Sequence, residues 1–183
     1  MRRFIPVVIL SLLTLSGCNE PQSPDWKSEF GERLHEFGHR NWIVVADSAY
    51  PKQSAAGIET IHTHEGQIEV LRFVLEKIDQ AEHIQAVTML DEELDLVTES
   101  ASPGVEEYRA QLKQLLGSRP VNAMPHDEII AQLDRASERF NVLLLKTDLT
   151  IPYTSVFLEL DCGYWDKKRE ADLRELSGKS MRK

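Results

Sequence analysis

Residues 37–51 read Phe37-Gly38-His39-Arg40-Asn41-Trp42-Ile43-Val44-Val45-Ala46-Asp47-Ser48-Ala49-Tyr50-Pro51. The apolar run Trp42–Ala46 predicts a buried strand. Gly38 just before it suits the left-handed position that ends a helix. Asp47 closes the strand, and residues 48–51 open a loop. In an open α/β sheet, ligands bind where strands end and loops begin. A carboxylate there is a candidate site residue, against the plainer reading that Asp47 caps a turn, a common use of Asp.

Upstream, residues 26–37 predict a helix, with Phe30, Leu34 and Phe37 spaced by four and three. Downstream, residues 48–66 read as a long loop, and such loops are often functional. Residues 67–81 predict an amphipathic helix, its apolar stripe Ile68, Leu71, Val74, Leu75 and Ile78. A strand at 84–90 follows, then Asp91-Glu92-Glu93, read as a solvated turn. Residues 105–116 predict a helix stopped by Gly117. Residues 119–124 predict a short strand, and Pro125 and the acidic residues after it open a helix through Phe140. Strands at 141–146 and 155–160 complete the pattern. Alternating strands and helices call for an α/β fold, a three-layer sandwich with a mainly parallel sheet.

The chain has 183 residues, 42% hydrophobic and 28% charged, with net charge −9. One domain is the default at this length. The acidic balance argues against nucleic acid as a partner. No Gly-x-Gly-x-x-Gly, Walker or Gly-x-Ser-x-Gly pattern occurs. His62 and His64 have no third ligand at a recognisable spacing, so no metal is assigned. A metal-dependent hydrolase using the histidines and the acidic cluster is the weakest of the readings.

The N-terminus carries a targeting signal. Arg2 and Arg3 precede a short apolar core, and Leu15-Ser16-Gly17-Cys18 resembles the bacterial lipobox. The expectation is a lipoprotein signal peptide at 1–17, lipidation at Cys18, a tether at 18–25, a domain at 26–165 and a charged tail at 166–183. The protein is then membrane-anchored in the cell envelope, outside the cytoplasm. Cys162, the other cysteine, is a lone thiol expected to be buried in or near a strand.

At three places the sequence resembles the ribose pyranase and fucose mutarotase family, which interconverts cyclic forms of free sugars. The first is Gly38-His39, the strand, then Asp47 and Pro51. The second is His126, opening a helix. The third is Tyr153 leading into Val156-Phe157-Leu158 and Gly163. The similarity spans residues 34–163. Two positions depart from the pattern: Ser155 stands where the family has Asn, and Ile130 where its ribose enzymes have Lys. The resemblance implies the family fold, a monosaccharide substrate, no cofactor, and a ring-shaped homo-oligomer with sites between subunits.

Opening a cyclic hemiacetal takes a proton from the anomeric hydroxyl and delivers one to the ring oxygen. Imidazole suits both tasks because its pKa lies near neutrality. His39 and His126 are therefore the acid/base candidates, with Asp47 as orienter or base. Tyr153 and Ser155 are the candidate substrate-binding residues. One difficulty is geometric. His39 precedes its strand, whereas Asp47 and His126 follow theirs, and eight extended residues span up to roughly 26 Å. Either the segment bends, or neighbouring subunits share the site. The reading is a sugar mutarotase or pyranase-like isomerase. The alternative is a non-catalytic carbohydrate-binding or envelope scaffold lipoprotein on the same fold.

Overall fold

A computed structural model describes residues 25–176. The leader, Cys18 and all but the last residue of the tether lie outside those residues, as does the end of the charged tail. In chain order the elements are α1 (Trp26–Glu36), β1 (Trp42–Ala46), β2 (Ile58–His62), α2 (Gln67–Gln80), β3 (Ile84–Asp91), a 3₁₀ helix (Glu92–Leu96), α3 (Val105–Leu116), β4 (Val121–Met124), α4 (His126–Ser137), β5 (Val142–Lys146), β6 (Val156–Cys162) and α5 (Lys167–Leu176).

The six strands form one sheet in the order β2-β5-β1-β6-β3-β4. β1 and β2 run parallel to β5, and β3 runs parallel to β4. β6 is antiparallel to both neighbours, β1 and β3. The sheet is therefore mainly parallel, as the alternation of elements predicts. β1 lies inside it, and all five of its residues are buried. Its side chains alternate between two cores. Ile43 and Val45 join residues of α1, α2 and α3; Trp42, Val44 and Ala46 join Ile129 and Leu133 of α4. Helices thus cover both faces, and a strand covered on both faces must be apolar throughout. α5 has no buried residue and lies outside both cores.

Four local expectations change. The stretch 48–66 is not one loop: it contains β2, an edge strand in which only Ile61 is buried. Entry to β2 needs Gly57, because a Cβ there would stand 2.6 Å from the Ser137 carbonyl oxygen. Gly38 is not a left-handed cap. Helix α1 ends at Glu36, the capping residue Phe37 after it has an extended backbone, and the Gly38 N–H donates to Asn41 Oδ1 at 2.9 Å. The left-handed residue is Arg40, with φ 75°. Cys162 ends β6 half-buried rather than buried. Finally, Asp91 is the last residue of β3 and is buried, not part of a solvated turn.

Candidate functional site

The topology gathers chemistry at one sheet edge. Asp47 follows β1, Asp91 ends β3, and His126 opens α4 just after β4. Because β6 runs the other way, its beginning reaches the same edge and brings Tyr153 and Ser155 with it. These five residues line a cleft of about 530 Å³, together with Tyr50, Gln53, Ile130 and others.

Asp47 does two things. Its Oδ1 accepts the Ala49 N–H at 2.9 Å, which is the turn cap expected of Asp, and its Oδ2 accepts from Ser155 Oγ at 3.3 Å. His126 is fixed through its backbone, whose N–H donates to both carboxylate oxygens of Glu93 at 3.1 Å. Its ring meets Tyr153 edge to face, with centroids 5.7 Å apart. Tyr153 itself sits in the left-handed region, φ 58°, and is exposed. Ile130, one turn into α4, adds an apolar patch to the wall.

Asp91 was not a sequence candidate, and it changes the chemistry. Its Oδ2 lies 3.1 Å from His126 Nδ1, and its side chain is 1% exposed against 35% for the histidine. The contact is an ion pair, and beyond it His126 Nδ1 and both Asp91 oxygens have no hydrogen-bond partner. Burial raises the Asp91 pKa, with Glu93 and Asp47 adding to the rise and His126 opposing it. A hydrophilic run, Asp-Glu-Glu, hid this residue. The one available signal was the strand before it: a single further residue of β3 carries Asp91 into register with Met124 of β4.

Tyr50 and Gln53 complete the picture. Burial raises the Tyr50 pKa, so its phenol keeps its proton at neutral pH. Tyr50 Oη and Gln53 Oε1 also lack partners. Among the described residues, the buried side-chain polar atoms without a hydrogen bond are these two, the Asp91 oxygens and His126 Nδ1. All belong to the walls of the one cleft. Each such atom costs about 1–3 kcal/mol when left unpaired.

His39 is not here. It lies at the opposite sheet edge, where its Nδ1 is 2.8 Å from Asp161 Oδ1. The segment from His39 to Asp47 does not fold back, because β1 fills it. One chain therefore brings together Asp47, His126, Tyr153 and Ser155 and leaves His39 apart. Among the described residues, no group of three or more His, Cys, Asp and Glu side chains is close enough to hold a metal ion.

The family model of the RbsD / FucU transport protein family matches residues 25–161. The chain belongs to that family. Its matched segment runs from the start of α1 into β6 and so contains every wall of the cleft. Among solved structures, RbsD of Bacillus subtilis complexed with D-ribose superposes with a TM-score of 0.51 at 18% identity, covering 73% of this chain and 92% of that one. The fucose mutarotase of Streptococcus pneumoniae in complex with L-fucose gives 0.49 at 19% identity, covering 76% and 92%. No curated protein matches the sequence. Within the RbsD / FucU frame, α5 is an addition beyond the matched segment.

Proposed function

We propose that the cleft binds a free monosaccharide and interconverts its cyclic forms. The observation that carries this reading is the convergence of unpaired buried polar atoms on one cleft. A sugar presents hydroxyls that both donate and accept, and it can satisfy such atoms together. Membership of the RbsD / FucU family, and the likeness in fold to an RbsD complexed with D-ribose, support the choice of ligand.

In this account His126 is the acid/base group. Nδ1 faces Asp91, and Nε2 is the nitrogen assigned to take the anomeric proton and return one to the ring oxygen. Asp91 opposite Nδ1 stabilises the imidazolium as it forms. Asp47, tied to Ala49 and Ser155, accepts from sugar hydroxyls, and the Tyr153 ring forms a wall for the sugar face. His39 reaches a cleft only from a neighbouring subunit, so the proposal includes a homo-oligomer with shared sites. The lipobox adds that the protein works anchored in the envelope; Cys18→Ser should release it from membranes or leave it as precursor.

The test is saturation-transfer NMR on a panel of free sugars beginning with D-ribose and L-fucose, because it reads anomer exchange directly. Exchange clearly faster than in buffer is expected. Exchange no faster than in buffer for any sugar overturns catalysis. Binding without acceleration would instead favour a carbohydrate-binding scaffold, the reading that Ile130 and Ser155 at the cleft favour.

A further inference from the structure

Behind the cleft wall lies a polar cluster that the reaction does not use. Gln67, the first residue of α2, is 2% exposed. Its Nε2 donates to the Thr154 carbonyl and, at 2.9 Å, to Tyr108 Oη. Tyr108, from α3, donates in turn to the same Thr154 carbonyl at 2.9 Å. Gln67 Oε1 lies 3.3 Å from Thr147 Oγ1, at the other end of the link between β5 and β6. Thr154, fully buried, closes the turn with its own hydroxyl, which donates to the Ile151 carbonyl at 2.7 Å.

A core needs no such cluster for stability. Replacing matched polar partners by apolar groups of the same shape is often nearly neutral. What the cluster does provide is position. The Thr154 carbonyl, which it holds twice, belongs to the peptide between Thr154 and Ser155, one residue beyond Tyr153. Tyr153 is a non-glycine residue at φ 58°. That conformation is strained and persists only where the surroundings over-determine it. Fixing the Thr154–Ser155 peptide on one side of Tyr153, and tying Thr154 back to Ile151 on the other, over-determines it. Two contacts on the cleft side depend on this setting: the Tyr153 ring against His126, and Ser155 Oγ on Asp47.

We infer that Gln67 and Tyr108 are positioning residues: from inside the core they hold the Ile151–Ser155 turn in the strained form that presents Tyr153 and Ser155 to the ligand. The consequence for activity rests on the sugar reading; the consequence for the turn does not.

The test uses the full chain with Gln67→Met, which keeps the volume, and Tyr108→Phe, which keeps the ring. Two readouts are taken together. Backbone NMR of Tyr153, with hydrogen exchange over residues 149–155, reports the turn. Anomer-exchange kinetics on the best sugar report KM and kcat separately. The expected result is a Tyr153 backbone relaxed toward negative φ and faster exchange in that segment. KM should rise on the order of tenfold, the scale of one lost hydrogen bond, with kcat changed less because His126 and Asp91 are untouched. Tyr108→Phe, which leaves the Gln67 contact to Thr154, should show the smaller effect. If both variants keep the wild-type turn and KM, the positioning role is wrong. If wild type itself accelerates no sugar, the sugar reading fails, yet the Tyr153 backbone still decides this one. A folded variant with a relaxed turn and unchanged KM would separate the wall from ligand binding and overturn the functional half.

Discussion

Two histidine–aspartate pairs stand at opposite edges of the same sheet. At the cleft edge, His126 and Asp91 are 3.1 Å apart and the carboxylate is 1% exposed. At the other edge, His39 and Asp161 are 2.8 Å apart with side chains 53% and 32% exposed. The second pair has the better hydrogen bond, and Asp161 Oδ1 also accepts the Cys162 N–H. By proximity alone the second pair looks like the machine. By cost it is the first that needs explaining: a buried carboxylate with no hydrogen bond, its pKa raised by burial, facing a cleft. Exposed ion pairs contribute little, and buried unpaired groups persist where something else requires them.

The strongest way to break this contrast is to remove each histidine. His126→Gln should lower anomer exchange by about a hundredfold or more, the usual scale of acid–base catalysis, and leave the urea unfolding midpoint nearly unchanged. On the proposal that neighbouring subunits share sites, His39→Gln should cause a comparable loss. Co-refolding the two variants together should then restore part of the rate, since some clefts receive an intact histidine from each subunit. Wild-type exchange in the His39→Gln protein would leave the exposed pair outside the chemistry altogether.

A second test sets the carboxylates against each other by pH. Asp91 has a folded pKa raised above its unfolded value of about 3.9. Its contribution to stability is fully present below that unfolded value and is lost as pH rises through the folded one. Asp91→Asn lacks this loss. The variant should therefore gain stability relative to wild type between pH 4 and pH 7 in urea titrations; a gap that does not change with pH would mean that burial does not penalise the Asp91 charge. Asp161→Asn, at the exposed pair, should stay within about 0.5 kcal/mol of wild type across the same range. The smallest effect expected is from Ser155→Ala. It frees one Asp47 oxygen held at 3.3 Å and should raise KM only by about three- to tenfold, measured by the same exchange kinetics.

The sequence made one edge of the sheet more legible than the other. β1 and α3 fall where the apolar run and the helical spacing put them, because both bury a continuous or periodic apolar face. β2 was hidden because an edge strand buries little: Glu59 faces out to Arg33, and His62 is exposed. Asp47, His126, Tyr153 and Ser155 were legible through resemblance and position at strand ends. Asp91 was not, because its role depends on burial by α4 and β4, which no local pattern encodes. The strand order was also out of reach. Nothing in Val156–Cys162 announces that this strand runs against its neighbours.

The place of β6 has a consequence for how the protein comes into being. Among the described residues β6 is the last strand in chain order, yet it lies in the middle of the sheet, between β1 and β3. Before it inserts, β2-β5-β1 and β3-β4 have no strand-to-strand contact in common. Asp47 rides on the first of these halves, and Asp91 and His126 on the second. A nascent chain that stops short of β6 therefore has both sets of reactive groups but no ladder to align them. The cleft is assembled by the closing of the sheet, so its walls come together only once β6 is in place rather than strand by strand along the chain.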